Sequence, residues 1–251
     1  MLDYGTAEAA GTGVVLTSVG EVLTNNHVID GATKITATDV AAGRSYAATV
    51  VGTDPTDDVA VLRLSGASGL ATARLATDTK VAVGDAVTAV GNAGGKGGTP
   101  TAATGRVVGL GRDITASDEN GTGAERLSGL IQVDAAVQAG DSGGPLYAGG
   151  AVIGIDTAAS TSGRGRVATT AATKGSTGFA IPIATATAIA DRILGGEQSG
   201  TVHQGTPAFL GVRLPDGATD PTVAGVVRGS PAAAGGLRAG ASATPGGFDH
   251  G

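Results

Sequence analysis

From Gly11 to about Gly178, apolar residues come in short runs rich in Val and Ile, broken by Gly, Asn, Asp or Thr. Such β-branched runs between turn formers read as strands. Strands are predicted at Gly13–Thr17, Glu21–Thr24, Lys34–Ala37, Ser45–Gly52, Val59–Leu64, Ala86–Gly91, Thr101–Leu110, Gly129–Val133, Pro145–Tyr147, Val152–Thr157 and Gly178–Pro182. They recur roughly every 8–15 residues, the spacing of an all-β sandwich or barrel. One segment changes period. After Pro182, the positions Ile183, Ala186, Ile189, Ala190, Ile193 and Leu194 form a helical stripe that Gly195 and Gly196 end. A bland linker, 196–205, follows. A smaller unit is then predicted, with strands near Phe209–Leu214 and Thr222–Arg228 and a short helix near Pro231–Leu237.

Composition narrows the classes. Gly supplies 45 of the 251 residues, well above the usual level of roughly 7%. Aromatics are 2% and Trp is absent, so the core must be built from Val, Ile, Leu and Ala. With no Cys there is no disulfide framework, no thiolate metal site and no Cys nucleophile. Three His residues leave little for a His-rich metal centre, and no metal or cofactor is expected. No apolar run approaches the ~18 residues of a membrane span. A net charge of -6 and the shortage of aromatics argue against a nucleic-acid partner. Residues 1–13 carry no basic n-region and no apolar h-region, so no signal peptide is read there.

Three segments carry candidate chemistry: Thr24–Ile29 with His27, Asp57–Leu62 with Asp58, and Gly140–Leu146 with Ser142. An amide hydrolase needs a nucleophile on a tight turn, with backbone N–H groups aimed at the developing oxyanion. The turn Gly140, Asp141 and Ser142 is the candidate oxyanion hole, with the amides of Gly140 and Ser142 as its main donors. Gly143 and Gly144 let a substrate backbone come close. A Ser hydroxyl is a weak nucleophile until a base takes its proton, and His27 is the one His in the β-rich part of the chain. An imidazole base needs a third group to fix its tautomer. Asp57 and Asp58 serve equally on composition; Asp58 is taken because it directly precedes the apolar strand. Singly, His27 reads as a core or loop-capping residue and Asp58 as a turn residue. Together, in the order His, Asp, Ser, they match the chymotrypsin arrangement.

These segments resemble the HtrA (Deg) family of trypsin-like serine proteases, and among them the actinobacterial secreted members. The likeness rests on Ala10–Leu16, Leu23–Ile29, Asp58–Leu62, Gly105–Val108, Gly140–Pro145, Ile155–Ala159 and Gly178–Ile183. It implies two six-stranded antiparallel β-barrels of the chymotrypsin type with the triad between them, a closing helix, and a peptide-binding PDZ unit. On that pattern residues 1–95 form the first barrel, 96–195 the second with its helix, 196–205 a linker and 206–251 an incomplete PDZ-like segment. The chain begins just before Ala10–Leu16, so the first barrel is expected to lack its N-terminal strand. After Gly240 the sequence leaves the PDZ pattern and the tail shows no period. Phe209, Leu210, Gly211 and Val212 are the expected carboxylate-binding loop and strand.

The resemblance also implies polypeptide substrates, a secreted or cell-envelope location, and a homo-oligomer, a trimer in the family. Its specificity pocket falls on Ala136, Ile155, Asp156 and Thr157. Ala136 at the base argues against a cutter specific for Lys or Arg and favours cleavage after small or medium apolar residues. Asp141 stands where activated trypsin-like enzymes pair a carboxylate with a new N-terminal amine; here it is expected to accept local backbone N–H groups. Two segments are expected as regulatory loops, Asp113–Ser128 and Thr157–Thr177, the second with Arg164 and Arg166. The Gly-rich stretch Asn92–Pro100 lacks the Lys-Ser/Thr ending of a phosphate loop and is read as a barrel connection. The rival reading is a catalytically weak peptide-binding or chaperone-like protein of the same fold, or an unstable truncated protease.

Overall fold

β-branched side chains crowd a helix but lie well on a pleated sheet, and the Val- and Ile-rich runs fold accordingly. The structure, a computed structural model, describes residues 2–3, 8–117, 124–160, 177–206, 211–213, 222–227, 230–244 and 247–249. It divides into two compact units, Met1–Thr206 and Pro207–Gly251.

The first unit begins with β1 (Leu2–Asp3), β2 (Glu8–Ala9), β3 (Val14–Val15) and β4 (Glu21–Thr24). A one-turn helix, α1 (Asn26–Ile29), follows, then β5 (Lys34–Asp39), β6 (Arg44–Asp54) and β7 (Val59–Leu64). These strands form an antiparallel sheet in the order β2-β1-β5-β6-β7-β4-β3. Expected as a barrel short of one strand, it is an open path in which β1 and β2 extend one edge beyond β5. Two-residue strands carry no alternation, which is why the hydrophobic pattern does not show them.

The next six strands close into a barrel: β8 (Ala86–Gly91), β9 (Thr101–Ser117), β10 (Ala124–Val133), β11 (Pro145–Ala148), β12 (Ala151–Ser160) and β13 (Thr177–Pro182). Helix α2 (Ile183–Leu194) then packs Ile183, Ala186, Ile189, Ala190 and Ile193 inward, on the predicted stripe. A last short strand, β14 (His203–Gln204), adds to β6.

The segment Asp113–Ser128, expected as a loop, is largely the outer half of the β9–β10 hairpin, with Ile114 opposite Leu127 and Ser117 opposite Ala124. Ile114 and Leu127 are buried, whereas Asp113, Thr115 and Arg126 are exposed. One apolar residue per strand gives too little alternation to outweigh the polar composition. Of the segment Thr157–Thr177, β12 continues to Ser160; Arg164 and Arg166 lie outside the described residues.

Alternation explains how the two sheets share a core. On β7, Ala60, Leu62 and Leu64 join Val22, Ile35 and Tyr46 inside the first sheet. Val59 and Val61 face the other way, in a cluster with Leu23, Ile155, Phe179, Ile181 and the buried stripe of α2. β7 is therefore buried on both faces, and Asp58 immediately precedes it.

The second unit, described by itself, pairs β15 (Val212–Arg213) with β16 (Gly225–Val226). Helix α3 (Pro231–Ala234) is capped by the Ser230 hydroxyl, which accepts from Ala233 N at 3.2 Å. Val223, Ala232, Leu237 and Ala241 form its core. The tail expected to be patternless instead pairs β17 (Ser242–Thr244) with β18 (Gly247–Asp249), and Thr222 bridges to Ser242. Backbone pairing needs no hydrophobic period, so composition does not announce it.

Candidate active site

The first half of the site hangs from β4 and from the turn between β6 and β7. Asn25 is fully buried, and its Nδ2 donates to the Asp58 carbonyl at 3.0 Å. Asn26 N donates to the same carbonyl at 3.3 Å. These bonds hold Asp58 in the left-handed region, at φ 55, where among the described residues only glycines join it. Asp tolerates that conformation better than most side chains, at a cost of about 1–2 kcal/mol. The conformation turns the carboxylate back onto α1. There Oδ1 accepts from His27 N at 2.9 Å, and Oδ2 lies 2.8 Å from His27 Nδ1. The Thr157 hydroxyl donates a short bond to the same Oδ2. Asp57, the alternative on composition, has its N–H on Asp54 Oδ1 instead.

A buried carboxylate against Nδ1 fixes the proton on that nitrogen and leaves Nε2 as the basic lone pair. The His27 side chain is 37% exposed while Asp58 is 0%, so the pair is anchored inside and open at one edge.

The second half is the turn before β11. Gly140 at φ 94 and Gly143 at φ 83 make it possible. A Cβ at Gly140 would overlap the Asn92 carbonyl, and one at Gly143 the Thr12 carbonyl. Gly143 N donates to Asp156 O and Asp156 N to Gly144 O, both at 2.8 Å. Ser142 is half-buried, with its Oγ donating to the Thr157 carbonyl at 3.4 Å. Thr157 thus touches both halves, its hydroxyl on Asp58 and its carbonyl facing Ser142. Among the described residues the amide N–H groups of Gly140 and Ser142 have no acceptor. Both amides are therefore available as hydrogen-bond donors in the turn that carries Ser142.

Asp141 Oδ2 accepts from Gln138 N at 2.9 Å, the local backbone contact expected of it, and among the described residues it makes no ion pair. Burial raises its pKa, and the Gln138 N–H draws it back. Asp156 is fully buried, and neither carboxylate oxygen has a hydrogen-bond partner. Burial pushes its pKa well above the usual carboxylate range, and the Asp141 charge adds to the shift. Its carboxyl group is therefore biased toward the neutral form.

Of the expected pocket residues, Ala136 is exposed between buried Ala135 and Val137. Ile155 is fully buried in the core shared by the two sheets, and Asp156 and Thr157 are also buried. Phe209 and Leu210 lie outside the described residues; Gly211 precedes β15, and Val212 packs against the core of the second unit. Thr12 was not singled out from the sequence. Its hydroxyl donates to the Gly140 carbonyl at 2.8 Å and its N–H to the Ser142 carbonyl at 2.8 Å. Its one sequence signal is a polar residue flanked by glycines, Gly11 and Gly13.

Residues 11–155 match the trypsin-like peptidase domain, and the chain belongs to that family. More narrowly, it is homologous to the HtrA-type serine proteases, as the motifs implied. It is 38% identical over 207 residues to a probable periplasmic serine endoprotease, DegP-like, of Bartonella henselae, over 82% of this chain and 36% of that protein. It is 35% identical over 224 residues to the serine protease PepD of Mycobacterium tuberculosis, over 84% and 46%. The structure of the HtrA-type protease AlgW with a decapeptide superposes with a TM-score of 0.62 at 34% identity, covering 92% of this chain and 68% of that one. The chain spans less than half the length of the two relatives. Among the described residues no helix is long and apolar enough to cross a membrane.

Proposed function

We propose that this chain is a serine endopeptidase with Ser142 as nucleophile, His27 as general base and Asp58 as its orienter. The observation that carries the reading is the double hold of Asp58 on His27, through N and Nδ1, with Thr157 linking the pair to Ser142. Ser142 Oγ attacks the peptide carbonyl carbon as His27 Nε2 takes its proton, and Asp58 stabilises the imidazolium. The carbonyl oxygen, now negative, lies against the amides of Gly140 and Ser142. Collapse expels the amine, protonated by His27, and leaves an acyl ester on Ser142. Water, deprotonated by His27, hydrolyses that ester and restores the enzyme.

Polypeptides with unfolded or exposed segments are the substrate class. Cleavage follows small or medium apolar residues, because Ala136 offers a methyl group and no counter-charge. A secreted or cell-envelope location and self-association complete the reading, in line with the periplasmic names of relatives. Residues 1–95 and 96–195 are taken as its two halves, and 206–251 as a PDZ-like segment.

Fluorophosphonate labelling and casein turnover test it. Wild type is expected to label and to cleave, and Ser142→Ala to do neither. A wild-type sample with a native far-UV spectrum that does not label would overturn the assignment.

A further inference from the structure

We propose that Thr12 is a positioning residue for the oxyanion-binding amide of Gly140, an inference that rests on the peptidase reading above. The problem it solves is specific to glycine. Gly populates positive and negative φ about equally, so the peptide planes around Gly140 are free to flip unless something holds them. A flip of the 139–140 plane would exchange N–H for C=O at the oxyanion position, because the two point in opposite directions across a trans peptide.

Both planes are held. Ala139 O accepts from Gly94 N at 2.7 Å, which turns the Gly140 N–H away from the Ala93–Gly95 turn. On the other side Gly140 O accepts from the Thr12 hydroxyl at 2.8 Å, and Asp141 N donates to Gln138 O at 3.0 Å. With a carbonyl fixed on each side, Gly140 stays at φ 94 and its amide, among the described residues, remains without an acceptor.

Thr12 also ties the two holds together. Its Oγ accepts from Asn92 N at 3.0 Å, at the start of the turn that holds Ala139. That turn is closed by Gly97 N on Asn92 Oδ1 at 2.8 Å and by Gly95 N on Asn92 O at 2.8 Å. The Thr12 carbonyl accepts from Thr24 Oγ1 at 2.7 Å, three residues before His27. One residue just before β3 thus joins the turn of Gly140, the Gly-rich connection and the segment leading to His27. Thr12 touches no reacting atom and acts through the orientation of Gly140.

The test compares Thr12→Val, which keeps the shape and loses the hydroxyl, with Thr12→Ser, which keeps the hydroxyl. Both are assayed for kcat and KM on an apolar peptide anilide whose cleavage depends on Ser142, and for inhibition by the matching peptide aldehyde. Losing one oxyanion donor costs about 10²–10³ in kcat, which sets the ceiling. Thr12→Val is expected to lose roughly 10–100-fold in kcat with KM within about threefold, and to bind the aldehyde correspondingly more weakly. Thr12→Ser is expected to recover most of that loss. An unchanged kcat in folded Thr12→Val overturns the proposal, as does a loss that Ser does not restore or that falls on KM. Should Thr12→Val not fold, Thr12→Ala removes the same hydroxyl from a smaller side chain; the same loss confined to kcat supports the proposal and an unchanged kcat overturns it. A wild type with no Ser142-dependent turnover would instead remove the peptidase reading itself, so the two failures are separable.

Discussion

Three buried carboxylates lie at or beside the site, and their surroundings set them apart. Asp58 spends both oxygens on His27 and Thr157. Asp141 has one oxygen on a backbone N–H and one unpartnered, and Asp156 has neither paired. A buried carboxyl with no donor favours its neutral form, so folded Asp156 binds a proton at pH values where the unfolded chain has lost it. Stability must then fall as pH rises from the ordinary carboxylate value through the raised one of Asp156. Asp156→Asn removes this dependence. The variant is expected to melt higher than wild type at pH 8, and the gain to shrink toward pH 4, as thermal melts at a series of pH values would show. An equal gain at both ends would assign the effect to packing. His27, Asp58 and Ser142 could be singled out as candidates in the sequence because their types and order are distinctive, and Thr157 links the His27–Asp58 pair to Ser142. The bond from Thr157 to Asp58, and the role of Thr12, were not legible there. Both are made by ordinary threonines across 99 and 128 residues of chain, a separation no local pattern records.

Elements with a strong period were read nearly to the residue. β4, β7 and β8 have the bounds their apolar runs predict, and α2 buries its predicted stripe. Elements too short or too polar to show a period were missed: β1, β2, the hairpin β17–β18 and the outer part of β9–β10. Helix α1 was missed as well. It is one turn long, below the length at which a 3.6-residue period shows, and it exists because Asn25, Asn26 and His27 all bond to Asp58. Packing rather than propensity carries α2, since three of its twelve residues are β-branched isoleucine and two are threonine. Ile193 is fully buried in the core shared by the two sheets. Ile193→Ala is expected to cost roughly 2–5 kcal/mol of unfolding free energy. At an exposed position of the same helix, Ala188→Ser should change it by no more than about 0.5 kcal/mol. Urea titration of both variants beside wild type measures the contrast, and similar losses at the two positions would contradict the packing account.

At the scale of the molecule, the proposed base and the proposed nucleophile come from segments flanking different sheets. His27 lies on α1 directly after β4 and Asp58 directly before β7, both strands of the first sheet, whereas Ser142 lies in the turn before β11 of the closed barrel. Their geometry persists because Leu23, Val59 and Val61 of one and Ile155, Phe179 and Ile181 of the other are buried in a single cluster with α2. Two sheets that share a core should not open separately. The second unit has its own core, Val223, Ala232, Leu237 and Ala241 among the described residues, half of it alanine. That described cluster is smaller than the core the two sheets share, and less apolar burial supports less stability. Native-state hydrogen exchange in low denaturant reads both consequences. The amides of Val61 in the first sheet and Ile153 in the barrel are expected to share one opening free energy and one denaturant dependence. The amides of Val223 and Leu237, bonded to Ala241 O and Ala232 O at 2.8 and 2.9 Å, are expected to exchange through a smaller opening at lower free energy. Opening free energies for Val61 and Ile153 that differ by more than about 1 kcal/mol would mean that the two halves of the site melt apart. Catalysis would then depend on docking the two halves as well as on folding each.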